Sequence, residues 1–164
     1  MFKKSRYFLS DARQGIKNLI EWFPIIWKDR WWDHWFIYAV LHRKLSLMEH
    51  NFRHHGVSAN RKHDADKIKL CVLLLERLRD DNYFEMAYKQ HHEKWGEPEF
   101  DWIDTDDPDL VELKIKHDNV ITEEDKKQER KEFKTATEHE NYLRQQDLEM
   151  LFGLMRKHIQ CWWD

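Results

Sequence analysis

WKDRWWDHWFIYAVLHRKLSLMEHNFRHHG, residues 27–56, is the stretch that decides the fold. It holds four of the nine tryptophans and five of the eleven histidines. Trp31, Trp35, Tyr38, Leu41, Leu45, Met48, Phe52 and His55 recur at steps of three and four, which places them on one stripe of a helix. A stripe that apolar is expected to be buried. Asp29 or Asp33 can cap its start, and Gly56 can end it in the left-handed conformation.

Working outward, VSANRKHDADKIKLCVLLLERLRDDNY predicts a loop and a second long helix, capped at Ser58 or Asn60, with Ile68, Val72, Leu75 and Leu78 on its inner face. A short connection makes the two helices antiparallel, so residues 31–78 are expected to form an α-hairpin. Before it, Ser10 offers a cap for a helix through Ile16, Leu19, Ile20 and Phe23, which Pro24 ends or kinks. After it, a third helix passes through Phe84, Tyr88, His91 and Trp95 and stops at Gly96 and Pro98.

Residues 97–112 carry eight acids and no base. Within and beyond them Phe100 alternates with Trp102, and Val111 with Leu113 and Ile115, on either side of a turn-forming run at 105–109. That alternation predicts a small β-hairpin near residues 99–117. Thr122 then opens a last helix, with Asp125 where a capping box has Glu or Gln. A helix over the whole of 123–163 would run roughly 60 Å, so it is expected either to break near 135–137 or Gly153, or to project.

The chain therefore reads as mainly α, a helical bundle around a long antiparallel α-hairpin. It is expected to be a single helical domain over 1–164, with 97–121 as an acidic loop or β-hairpin insertion and 122–164 as the long C-terminal helix. Only four glycines and three prolines interrupt 164 residues, and 36% of them are charged, as helix surfaces require. Two cysteines without CxxC spacing point to neither a disulfide framework nor a zinc knuckle. Asp11, Arg13, Glu21 and Pro24 interrupt the N-terminal apolar residues, so neither a signal peptide nor a membrane span is expected. A cytoplasmic setting follows.

Charge divides unevenly: residues 1–63 carry 12 Lys/Arg against 5 Asp/Glu, residues 64–164 carry 16 against 26. The basic half either binds an anion or pairs with the acidic half, within one chain or between two. Arg30, Trp32, Arg43, His50, Arg53, His54, Arg61, Lys62 and His63 lie off the apolar stripe or in the loop after it. Arginine can clamp a phosphate and tryptophan can stack on a base, so these nine are the candidate binding residues for a small anionic ligand such as a nucleotide.

Catalytic signals are weak. His50 and His54 share a helix face but lack the second glutamate of a zinc signature, and His63-Asp64 and His117-Asp118 are dipeptides that composition alone supplies. No catalytic residue, metal ligand or cofactor is assigned, and an enzyme is the less expected class. A metal-dependent phosphohydrolase with histidines and carboxylates between helices stands as a third reading, after an interaction module acting through the C-terminal helix.

WFPIIWKDRWWDHWFIYAVLHRKLSLMEH, KWGEPE and YLRQQDLEMLFGLMRKHIQCWWD together resemble small accessory proteins encoded by tailed bacteriophages and environmental viral genomes. The resemblance covers most of the chain and carries no catalytic motif. It implies a protein that works in the host bacterial cytoplasm, by sequestering a nucleotide signal of an antiviral system or by blocking a host protein. A homo-oligomer is expected, and no membrane partner.

Overall fold

The computed structural model describes residues 2–107 and 109–163, with side chains from Phe8 onward. It is mainly helical: α1 (Phe2–Ile26), α2 (Trp35–His54), α3 (Arg61–Asp80), α4 (Tyr83–Trp95) and α5 (Glu123–His158), with a hairpin of β1 (Pro98–Asp104) and β2 (Val111–His117) between α4 and α5. A single 3-10 turn at Ile159–Cys161 follows α5. Among the described residues no helix is long and apolar enough to cross a membrane. The chain groups into two compact units, residues 1–79 with 154–164, and residues 80–153.

In the first unit α2 and α3 form the expected antiparallel α-hairpin. His42 meets Glu76 at 3.2 Å and Arg53 meets Asp66 at 3.1 Å, a register that rises along one helix as it falls along the other. Ala65, Ile68, Cys71, Val72, Leu74, Leu75 and Leu78 are buried along α3, and Ala39, Leu45 and Phe52 along α2. Burial also pushes the Cys71 thiol up to about 11, so it packs as an apolar group. His34 rather than Asp29 or Asp33 holds the N-cap position of α2 and makes no side-chain capping bond, though Asp33 just before it accepts the Trp35 N–H at 2.9 Å. At the far end His55 is the C-cap, and the Gly56 N–H donates to the Asn51 carbonyl without the left-handed φ expected of it. Ser58 accepts the Asn60 N–H and turns the chain into α3.

Two further expectations fail here. Trp31, 88% exposed, and His55, also exposed, fall outside the buried stripe, because α2 spans only Trp35–His54 and the two residues lie just beyond its ends. The first helix starts before Ser10 and runs through Pro24 to Ile26. Pro24 removes one N–H, but it sits in the last turn on a solvent-exposed side, where water can serve the freed carbonyl.

In the second unit α4 lies antiparallel to α5. The Tyr83 hydroxyl donates to Asp147 at 2.5 Å, Tyr88 meets Thr137 at 2.6 Å, and the Trp95 indole N–H donates to Glu132 at 2.7 Å, so partners ascend on one helix as they descend on the other. Gly96 stops α4 with φ 90°, a conformation only glycine adopts freely. The hairpin register pairs Phe100 with Ile115 and Trp102 with Leu113, which puts all four on one face. The capping box forms: Asp125 accepts the Thr122 N–H, and Thr122 Oγ accepts the Asp125 N–H. The last helix is unbroken through 135–137 and Gly153, 36 residues in all.

Candidate metal centre

Three elements of the second unit bring their donors to one point. His91 lies on the buried face of α4 between Tyr88, one turn before it, and Trp95, one turn after it. His117 closes β2, on the same face of the hairpin as Leu113 and Ile115. Glu129 is on the second turn of α5, in the stripe that continues through Glu132, Phe133 and Ala136. The hairpin base is anchored where this matters: the Asn119 backbone N–H donates to the Trp95 carbonyl and its side-chain amide to the Lys94 carbonyl.

Glu129 Oε1 is 3.3 Å from His91 Nε2 and 3.5 Å from His117 Nε2. The donor atoms of all three lie within 4.8 Å of one another. Both imidazoles are almost wholly buried, with side-chain exposures of 3% and 4%. Neither ring nitrogen of His91 is in hydrogen-bond geometry, and nor is His117 Nε2. Each Nε2 lies within ion-pair distance of the Glu129 carboxylate without reaching full hydrogen-bond geometry. Such buried, unmatched polar atoms are costly unless something else satisfies them.

A metal ion would satisfy them. Ligand atoms held tetrahedrally about 2.0–2.1 Å from zinc stand about 3.3 Å from each other; the two Nε2–Oε1 separations, 3.3 and 3.5 Å, are close to that edge, and all three donor atoms lie within 4.8 Å of one another. His117 Nδ1 meets the Gly96 carbonyl at 3.1 Å, which it can engage only as a donor. Its Nε2 is then left as a lone pair aimed at the centre, the orientation that ligating histidines receive from a carbonyl behind them. Burial, and then the neighbouring His117, pushes the His91 imidazole below its ordinary range, favouring the neutral form a metal requires. Phe133 packs edge-on to His91 at 5.7 Å and Tyr88 at 6.1 Å, walling the donors with aromatic rings. A groove of about 460 Å³, lined by Gln90, Lys94, Glu132 and His139, opens beside His91.

The nine candidates for anion binding do not meet at one place. Arg30 and Trp32 precede α2, while His50, Arg53 and His54 lie at its far end, a helix of 20 residues away. Arg43 is ion-paired with Glu21, and Arg53 with Glu49 and Asp66. Arg61 donates to the Gly56 carbonyl, and Arg30 to the carbonyl of Asp29. His50 and His54 do come together, their rings 4.7 Å apart and joined by His55 at 5.8 Å, on an exposed surface. Lys62 and His63 are exposed in the first turn of α3.

The metal-type cluster was hidden because its members are 26 and 12 residues apart in the chain. A signal for it did exist: His91 and His117 both occupy apolar positions of otherwise regular stripes, and two such histidines need a shared partner. Of the two His-Asp dipeptides, His117-Asp118 contributes only its histidine. Asp118 is exposed and outside the donor set. Compared with known proteins, the chain matches no family model, no curated protein and no solved structure.

Proposed function

We propose that the chain is a metal-binding protein in which His91, His117 and Glu129 hold one divalent ion of the zinc class. The convergence of two buried imidazoles on one half-buried carboxylate, with both nitrogens of His91 and the Nε2 of His117 lacking a hydrogen-bond partner, carries this reading. Two imidazoles and one carboxylate suit zinc and its neighbours in the first transition row better than calcium or magnesium, which prefer all-oxygen shells. The ion fastens the base of the β-hairpin to both helices of the unit. Its role is to hold the hairpin rigid as a binding element whose Phe100, Trp102, Leu113 and Ile115 face, 40–66% exposed, meets a protein partner. Three protein ligands leave a fourth position for water or for a partner's side chain.

The test uses untagged protein, stripped of metal and then titrated with zinc. The expected result is one ion per chain and a rise in melting temperature on the order of 5–10 °C at a hundredfold excess over the dissociation constant. Absence of stoichiometric uptake by the folded protein removes the reading.

A second reading has its own observation: Lys62 and His63 are exposed in the first turn of α3. We infer that an anion such as a nucleotide would sit there, with His50 and His54 nearby in sequence terms across one short loop. In the phage setting that the resemblance implies, this would be a sequestered host signal. A melting-temperature shift with nucleotides that Lys62→Ala abolishes supports it; no shift from any nucleotide at millimolar concentration ends it.

A further inference from the structure

The first unit contains a helix turned the wrong way for its own core. Along α1, Leu9, Ile16 and Phe23 repeat every seven residues, and Ala12, Leu19 and Ile26 repeat every seven between them, the spacing of a coiled-coil seam. Yet Leu9, Ile16, Leu19, Phe23 and Ile26 are each 58–71% exposed. What faces the rest of the unit is the other side: Glu21 is ion-paired with Arg43 of α2, and Trp22 and Ile25 are half-buried beside it. At 100° per residue those positions lie roughly opposite the seam. The internal ion pair therefore fixes the helix with its apolar stripe pointing away.

We propose that this outward stripe of α1 is a dimerisation surface, occupied by α1 of a second copy of the chain. Three observations select that occupant. A strict seven-residue seam is the pattern that another helix with the same repeat fills knob into hole. With Ile20 and Trp27 on its flank, the stripe presents seven large apolar side chains, each 58–73% exposed, along the helix. Between Phe8 and Trp27 the charges are Asp11 and Glu21 against Arg13 and Lys17, a balance that an isologous contact tolerates.

The proposal is independent of the metal reading, since α1 and the metal donors belong to different units. Sedimentation of the full chain across micromolar concentrations, with and without Ile16→Glu and Phe23→Glu together, tests it. Both residues are exposed, so the double variant should keep the far-ultraviolet circular dichroism of the wild type. The expected result is twice the chain mass for wild type and a single chain mass for the variant, with association weakened at least a hundredfold. A wild-type monomer overturns the proposal, as does a variant that dimerises as tightly as wild type. A wild-type monomer that floats with vesicles of phosphatidylcholine and phosphatidylglycerol, and loses this with the same pair, overturns it in favour of a membrane surface.

Discussion

Two regions of this molecule are rich in histidine, and they behave in opposite ways. At the end of α2, His50, His54 and His55 are close in sequence, their rings in tilted and edge-on contact, and exposed. In the second unit, His91 and His117 are 26 residues apart, buried, and turned toward the same glutamate. Density along the chain is not convergence in space. Exposed imidazoles can each find water, so their grouping costs little; buried ring nitrogens with no hydrogen-bond partner are costly unless a ligand satisfies them.

Removing His117 should break the contrast most severely. His117→Ala takes away one donor and the tie from the Gly96 carbonyl, so zinc affinity should fall more than a hundredfold, read by competition with a chromogenic chelator. Gly96→Ala ranks next. It places a side chain at φ 90°, which costs on the order of 1–3 kcal/mol, and it shifts the carbonyl that orients His117; urea midpoints should drop and zinc affinity should weaken, less than for His117→Ala.

How the sequence compares with these results depends on range. The α-hairpin, the β-hairpin and the capping box at Thr122 were legible because each is a local pattern: a stripe, an alternation, a pair three residues apart. The outward turn of α1 was not, since periodicity shows that a stripe exists and not which neighbour it meets. The Glu21–Arg43 ion pair that decides it joins residues on different helices. Equally, Glu129 lies in a run of charges that reads as solvated surface, and only the packing of α4 against α5 separates it from its neighbours. Arg43 and Arg53 looked available for a ligand for the same reason; their carboxylate partners are visible only once helices are placed.

Smaller effects sharpen the comparison. Lys94 first, then Trp95 and Gln128, hold the Glu132 carboxyl at about 2 in the folded protein, below its ordinary 4.5. A depressed carboxyl stabilises the fold fully above its unfolded value, and that contribution is lost as pH falls from about 4.5 toward 2. Glu132→Gln should therefore be less stable near neutrality and show a flatter loss across that acid window, measured by urea midpoints at stepped pH. Smallest of all, His50→Ala with His54→Ala should leave zinc stoichiometry unchanged and stability within about 0.5 kcal/mol, as for other exposed substitutions.

The most direct measurement is X-ray absorption at the zinc edge of the untagged protein loaded with one equivalent. The account predicts a shell of nitrogen and oxygen near the distances of a tetrahedral site, with outer scattering from two imidazoles that falls to one in His91→Ala. Zinc without imidazole scattering, or an unchanged two-imidazole signal in that variant, would contradict it.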